Sequence, residues 1–117
     1  MESLRLTLPR EVVSVRRARG VARATVIRWG SSPEHADAVE FVVGELVTES
    51  LEEGVGPLLL AIQSQPGTTR VEVSDGLTLS DTVPAARKRT VHGVARDIGV
   101  TDTSGGRTIW ADVDDTA

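Results

Sequence analysis

The chain has 117 residues, 39% of them hydrophobic and 26% charged, a globular composition at a length that suits one domain, expected over 1–117, with one modest core. Its 13 basic and 17 acidic residues give a net charge of -4, which argues against a general binder of phosphate backbones, so no direct contact with nucleic acid is expected. Cysteine is absent, which removes disulfides, thiol catalysis and thiolate zinc sites, and two Trp and one Phe leave the core to Val, Leu, Ile and Ala.

The opening MESLRLTLPR lacks the basic region and apolar run of a secretory leader, and no stretch approaches the roughly 20 apolar residues of a membrane span. A soluble cytoplasmic protein without membrane contact is the expectation. Residues 4–8, LRLTL, alternate apolar and polar and predict a first strand. Pro9 then opens a helix in which Val12, Val15, Ala18, Ala22, Val26 and Trp29 recur at helical spacing, with Gly30 at its end. Arg16, Arg17, Arg19 and Arg23 decorate its outer side, a wet face that could also meet an acidic partner.

Ser31, Ser32 and Pro33 supply a cap and a first-turn proline for a second helix that runs to Gly54. Its apolar stripe is Val39, Val42, Val43, Leu46, Val47 and Leu51, and beside it stand Glu45, Glu49, Glu52 and Glu53. Acidic residues four apart share a helix face and repel, so this cluster is either an ordinary solvated face or part of a site. Residues 57–64 read as a strand, Gln65-Pro66-Gly67 as a turn, and residues 69–74, TRVEVS, as the returning strand, which Asp75-Gly76 ends. After a polar connection, Pro84 leads into a third helix carrying Val91, Val94, Ala95 and Ile98 and closed by Gly99. Residues 100–103, a Ser104-Gly105-Gly106 turn and residues 107–113 predict a last hairpin, with Ile109 and Ala111 alternating against Trp110 and Asp112. The order β-α-α-β-β-α-β-β, with short turns between strands, predicts a two-layer α/β sandwich (α+β) with a mostly antiparallel mixed sheet and about three helices on one face.

Glu45-Leu46-Val47-Thr48 inside the long second helix, the hairpin ending Val71-Glu72-Val73-Ser74-Asp75-Gly76, and the closing Gly105-Gly106-Arg107-Thr108-Ile109-Trp110-Ala111 resemble the small histidine-kinase-like ATPases of the anti-sigma-factor serine kinase type, the Bergerat fold. The resemblance spans nearly the whole chain and implies roles for individual residues. Glu45 matches the general base, which would accept the proton of an attacking hydroxyl or water. Asp75 matches the acceptor of the adenine amino group, and Gly76 the glycine that lets backbone approach the ring.

Two departures stand beside these matches. Glu49 falls where the family carries a magnesium-binding Asn; an anion about 4 Å from a triphosphate costs up to roughly 4 kcal/mol at an effective dielectric near 20. A carboxylate can itself ligate magnesium, which keeps Glu49 a candidate metal ligand. Where the family has a glycine-rich lid, this chain has Pro84, Ala85, Ala86 and Arg87, and backbone without glycine does not readily form an amide cradle for phosphates. Arg87 and Lys88, with Arg89, bring positive charge to the lid position and are candidate nucleotide contacts. His35 and His92 are read as helix residues without metal or catalytic roles, and Thr108 and Trp110 as residues of the fold.

The resemblance thus implies a regulatory protein similar to an anti-sigma-factor kinase, with nucleotide binding weakened or lost. It would act by protein–protein contact in a partner-switching type of transcriptional control, on a sigma factor or an anti-sigma antagonist, and relatives of this kind often form dimers. The alternatives are an ATP-dependent serine/threonine kinase that phosphorylates an antagonist protein, and a nucleotide sensor that binds without catalysis. ATP or ADP with magnesium is the cofactor that either alternative implies.

Overall fold

Alternating sequence becomes strand wherever one parity can be buried, and the computed structural model, which describes residues 2–78 and 91–115, shows this in five strands and two helices. In chain order these are β1 (Ser3–Leu8), α1 (Val13–Arg28), α2 (Pro33–Glu53), β2 (Leu58–Gln65), β3 (Thr68–Asp75), β4 (Asp97–Thr103) and β5 (Gly106–Asp114). The sheet order is β1-β2-β3-β5-β4, and every neighbouring pair is antiparallel. The α+β class is as expected; the described sheet is wholly antiparallel rather than mixed, since each pair of neighbours runs in opposite directions.

The buried parity builds the core row by row. Leu8 faces Leu58, Leu60 faces Val73, and Ile62 faces Val71. Val71 and Val73 lie opposite Ala111 and Ile109 on β5. Over this surface lies α2, whose Val39, Val42, Val43, Leu46 and Val47 are fully buried, and α1 packs against α2 with Ala18, Ala22 and Val26. The core is therefore built of Val, Leu, Ile and Ala, as the scarcity of aromatic residues requires. Burying one such side chain contributes about 1.5–3 kcal/mol.

Local signals fix the helix ends. The Ser32 hydroxyl accepts from the His35 N–H at 3.2 Å, with Pro33 in the first turn, and Gly54 follows the last turn of α2. Gly30, with φ of 95°, takes the left-handed conformation that turns the chain out of α1. The stripe of α1 differs from expectation at its start: Val12 is 84% exposed because the helix begins one residue later. Ser14 takes the inward place, and its hydroxyl donates to the Pro9 carbonyl at 2.7 Å.

The third helix is corrected at its C-terminal part. Residues 91–92 are helical, but Asp97 already begins β4, where Ile98 pairs with Ala111 and Gly99 with Trp110. Ile98 gains its burial as the outermost rung of the sheet's core face, and Gly99 serves as the floor under the Trp110 indole rather than as a helix stop. The expected helix start from Pro84 lies outside the described residues.

On the open face of the sheet, Arg70 lies over the Trp110 ring, 4.4 Å from its centroid, and binds Asp112 through Nε and Nη2 at 2.7 and 2.8 Å. Arg70's hydrogen bonds hold the Asp112 carboxyl below its ordinary range against the opposing effect of burial, and the charges of Arg70 and Arg96 add to this. A carboxylate with a lowered folded pKa adds stability above its unfolded value, and that contribution disappears as pH falls through the folded value. Asp112→Asn is therefore expected to cost about 1 kcal/mol at neutral pH, with Arg70 a third exposed, and nothing once the wild-type carboxyl is protonated. Urea denaturation of both proteins across the acid range checks this: a gap that does not narrow as pH falls below about 4 contradicts it.

Candidate functional site

The core face of β3 and β5 ends in charge. In the register Val71 opposite Ala111 and Val73 opposite Ile109, the next inward pair is Asp75 opposite Arg107. Both side chains are fully buried, as is that of Glu49 from α2, 1% exposed. Arg107 Nε donates to the two Asp75 carboxylate oxygens at 3.2 and 3.3 Å, and Nη2 donates to Asp75 Oδ2 at 3.2 Å and to Glu49 Oε2 at 3.1 Å. One planar cation thus bridges two carboxylates carried by a strand and a helix. The Ser50 hydroxyl also donates to Asp75, and the Leu77 N–H donates to Asp75 Oδ1 at 2.9 Å.

Buried ions survive in a protein only when hydrogen bonds replace their water, and close backbone approach makes that possible here. Gly54 and Gly106 both hug Asp75: a Cβ on Gly54 would meet its carboxylate, and one on Gly106 would meet its carbonyl oxygen. The last turn of α2 is held from the other side by Arg10, whose Nη1 donates to the Ser50 and Leu51 carbonyls at 2.8 and 3.1 Å and whose Nε donates to Gly56 O at 2.9 Å. A cation at a helix C-terminus meets the negative end of the dipole.

Of the residues singled out from sequence, Glu49 and Asp75 come together, joined through Arg107. Gly76 adjoins them, its N–H donating to Val55 O at 2.8 Å. Glu45 lies half-buried, one turn before Glu49 on α2. Arg87 and Lys88, with the lid sequence around them, lie outside the described residues. His35 is buried and its Nε2 lies 2.8 Å from Thr69 Oγ1, which ties α2 to β3. Among the described residues no group of three or more His, Asp or Glu is placed to hold a metal ion.

Sequence reasoning missed Arg107 and Ser50. A signal for Arg107 existed: it shares parity with Ile109, Ala111 and Val113, so the alternation that buries those residues also turns Arg107 inward. Its partners lie 32 and 58 residues away in sequence, where no local pattern reaches.

No protein-family model and no curated protein matches the chain. Solved structures do. The RsbU and RsbW domains of Rv1364c from Mycobacterium tuberculosis superpose with a TM-score of 0.75 at 16% identity, over 97% of this chain and 32% of that one. A chain of the SiaB–SiaC complex from Pseudomonas aeruginosa superposes with a TM-score of 0.64 at 12% identity, over 94% of this chain and 88% of that one. This chain thus spans about a third of the length of the Rv1364c structure. At these identities the likeness is one of fold: the antiparallel sheet with α1 and α2 packed over one face is shared with both structures.

Proposed function

We propose that this protein is a regulator that acts by binding another protein, in a partner-switching type of transcriptional control, without effective use of a nucleotide. The observation that carries the reading is the buried Arg107 bridge between Glu49 and Asp75. A magnesium nucleotide does not fit that arrangement. The Asp75 carboxylate oxygens already accept from Arg107, Ser50 and Leu77, and Glu49 accepts from Arg107, so an adenine amino group or a magnesium ion would have to displace the guanidinium. Displacement would leave a buried arginine without these carboxylates, at a cost of about 3–5 kcal/mol, and reduce affinity by roughly two to four orders of magnitude.

Support for a protein partner comes from the fold neighbour determined as a SiaB–SiaC complex; the other neighbour holds RsbU and RsbW domains within one protein. A sigma factor or an anti-sigma antagonist domain is the partner class this suggests. Calorimetric titration with ATP, with and without magnesium, tests the nucleotide half of the reading. The expected result is no saturable binding up to millimolar ATP; saturable, magnesium-dependent binding would return the protein to the kinase reading, with Glu45 as its base. Co-purification with candidate antagonist domains tests the other half, and capture of none of them removes the partner-switching assignment.

A further inference from the structure

The acidic site between α2 and β3 has the form of a receptor for one compact cation. Two carboxylates from different elements converge, one edge of a guanidinium lies against both Asp75 oxygens, and the same head reaches Glu49. The Ser50 hydroxyl and the Leu77 amide occupy further lone pairs of Asp75 and hold it in place. The head that fills the site is carried by this chain itself, on Arg107, the second residue of β5.

We propose that Arg107 is an internal ligand: it fills a cation site with this chain's own guanidinium and is the residue that bars an external cation from it. The inference rests on the reading of this protein as a regulator without effective nucleotide use, and it names the residue responsible. Truncating Arg107 removes the cation and leaves its volume, while Glu49, Asp75, Ser50 and the glycines beside them remain. The vacated site takes a small cation: free guanidinium, which reproduces the single charge and planar donors of the lost head, or a hydrated divalent ion such as magnesium, whose charge two carboxylates balance.

Thermal denaturation of full-length wild type, Arg107→Ala and Arg107→Ala/Glu49→Ala, in millimolar guanidinium chloride or magnesium chloride at constant ionic strength, tests this. Guanidinium ordinarily lowers the midpoint of unfolding, so a rise is diagnostic. A rise of about 5 °C in Arg107→Ala, absent from wild type and reduced in the double variant, is the expected result. Guanidinium acting alone assigns a planar-cation site, and magnesium acting alone a divalent site; either upholds the inference. No rise with either salt, or an equal rise in wild type, overturns it. Should Arg107→Ala be unfolded without additive, refolding in one of these salts but not in sodium chloride upholds it, and failure in all three overturns it. Binding of ATP by the wild type overturns the functional reading instead, so the two failures are distinct.

Discussion

Arg107→Ala is expected to lower the free energy of unfolding by about 3–5 kcal/mol, the largest single-residue effect outside the apolar core. The magnitude follows from burial. Arg107, Glu49 and Asp75 are removed from water, so taking away the cation leaves two carboxylates without its charge in a medium that solvates them poorly. Removing charge from both sides should cost less. Arg107→Met with Glu49→Leu keeps the volume, leaves Asp75 with Ser50 and Leu77, and is expected to recover more than half of the loss. Urea denaturation of the three proteins decides the matter: an Arg107→Ala midpoint within experimental error of wild type would mean that the bridge contributes nothing to the fold. A total stability in the usual range of about 5–15 kcal/mol makes such a loss large enough to unfold a marginal domain.

Gly106→Ala is expected to cost about 3 kcal/mol and Gly54→Ala somewhat less, for one shared reason. A methyl at position 106 would overlap the Asp75 carbonyl and crowd Gly76, so β5 could no longer approach the end of β3. Backbone cannot step aside as a long side chain can. At position 54 the methyl crowds the Ser50 carbonyl and meets more closely the Asp75 carboxylate, a side-chain group that could rotate were it not held by Arg107 and Ser50. The cost at position 54, unlike that at 106, is therefore coupled to the ion bridge, and in an Arg107→Met background Gly54→Ala should cost measurably less than in wild type. Gly20 is the internal control, because a Cβ there meets nothing and Gly20→Ala in the exposed face of α1 should stabilise by up to about 1 kcal/mol. Equal costs at positions 20 and 106 would refute the steric argument.

Much of this fold could be read from local sequence because its causes are local. The Ser32-Pro33 start and the Gly54 end of α2 are set by capping within one turn, and the stripe from Val39 to Val47 follows from helical spacing. The alternation in TRVEVS and in residues 107–113 assigned strands, because one parity of a pleated strand must be buried. Tertiary structure decided the rest. Residues 97–99 are strand only because β5 offers Ala111 and Trp110 as partners, and nothing in their own spacing distinguishes a helix end from an edge strand. Likewise, alternation aimed Arg107 at the core, but whether an inward arginine is tolerable depends on what stands opposite. The register places Asp75 there, and the passage of α2 over the sheet adds Glu49. A buried charge is settled by partners distant in the chain, so the sequence alone determined the elements and their faces, while the meeting of those faces determined the site.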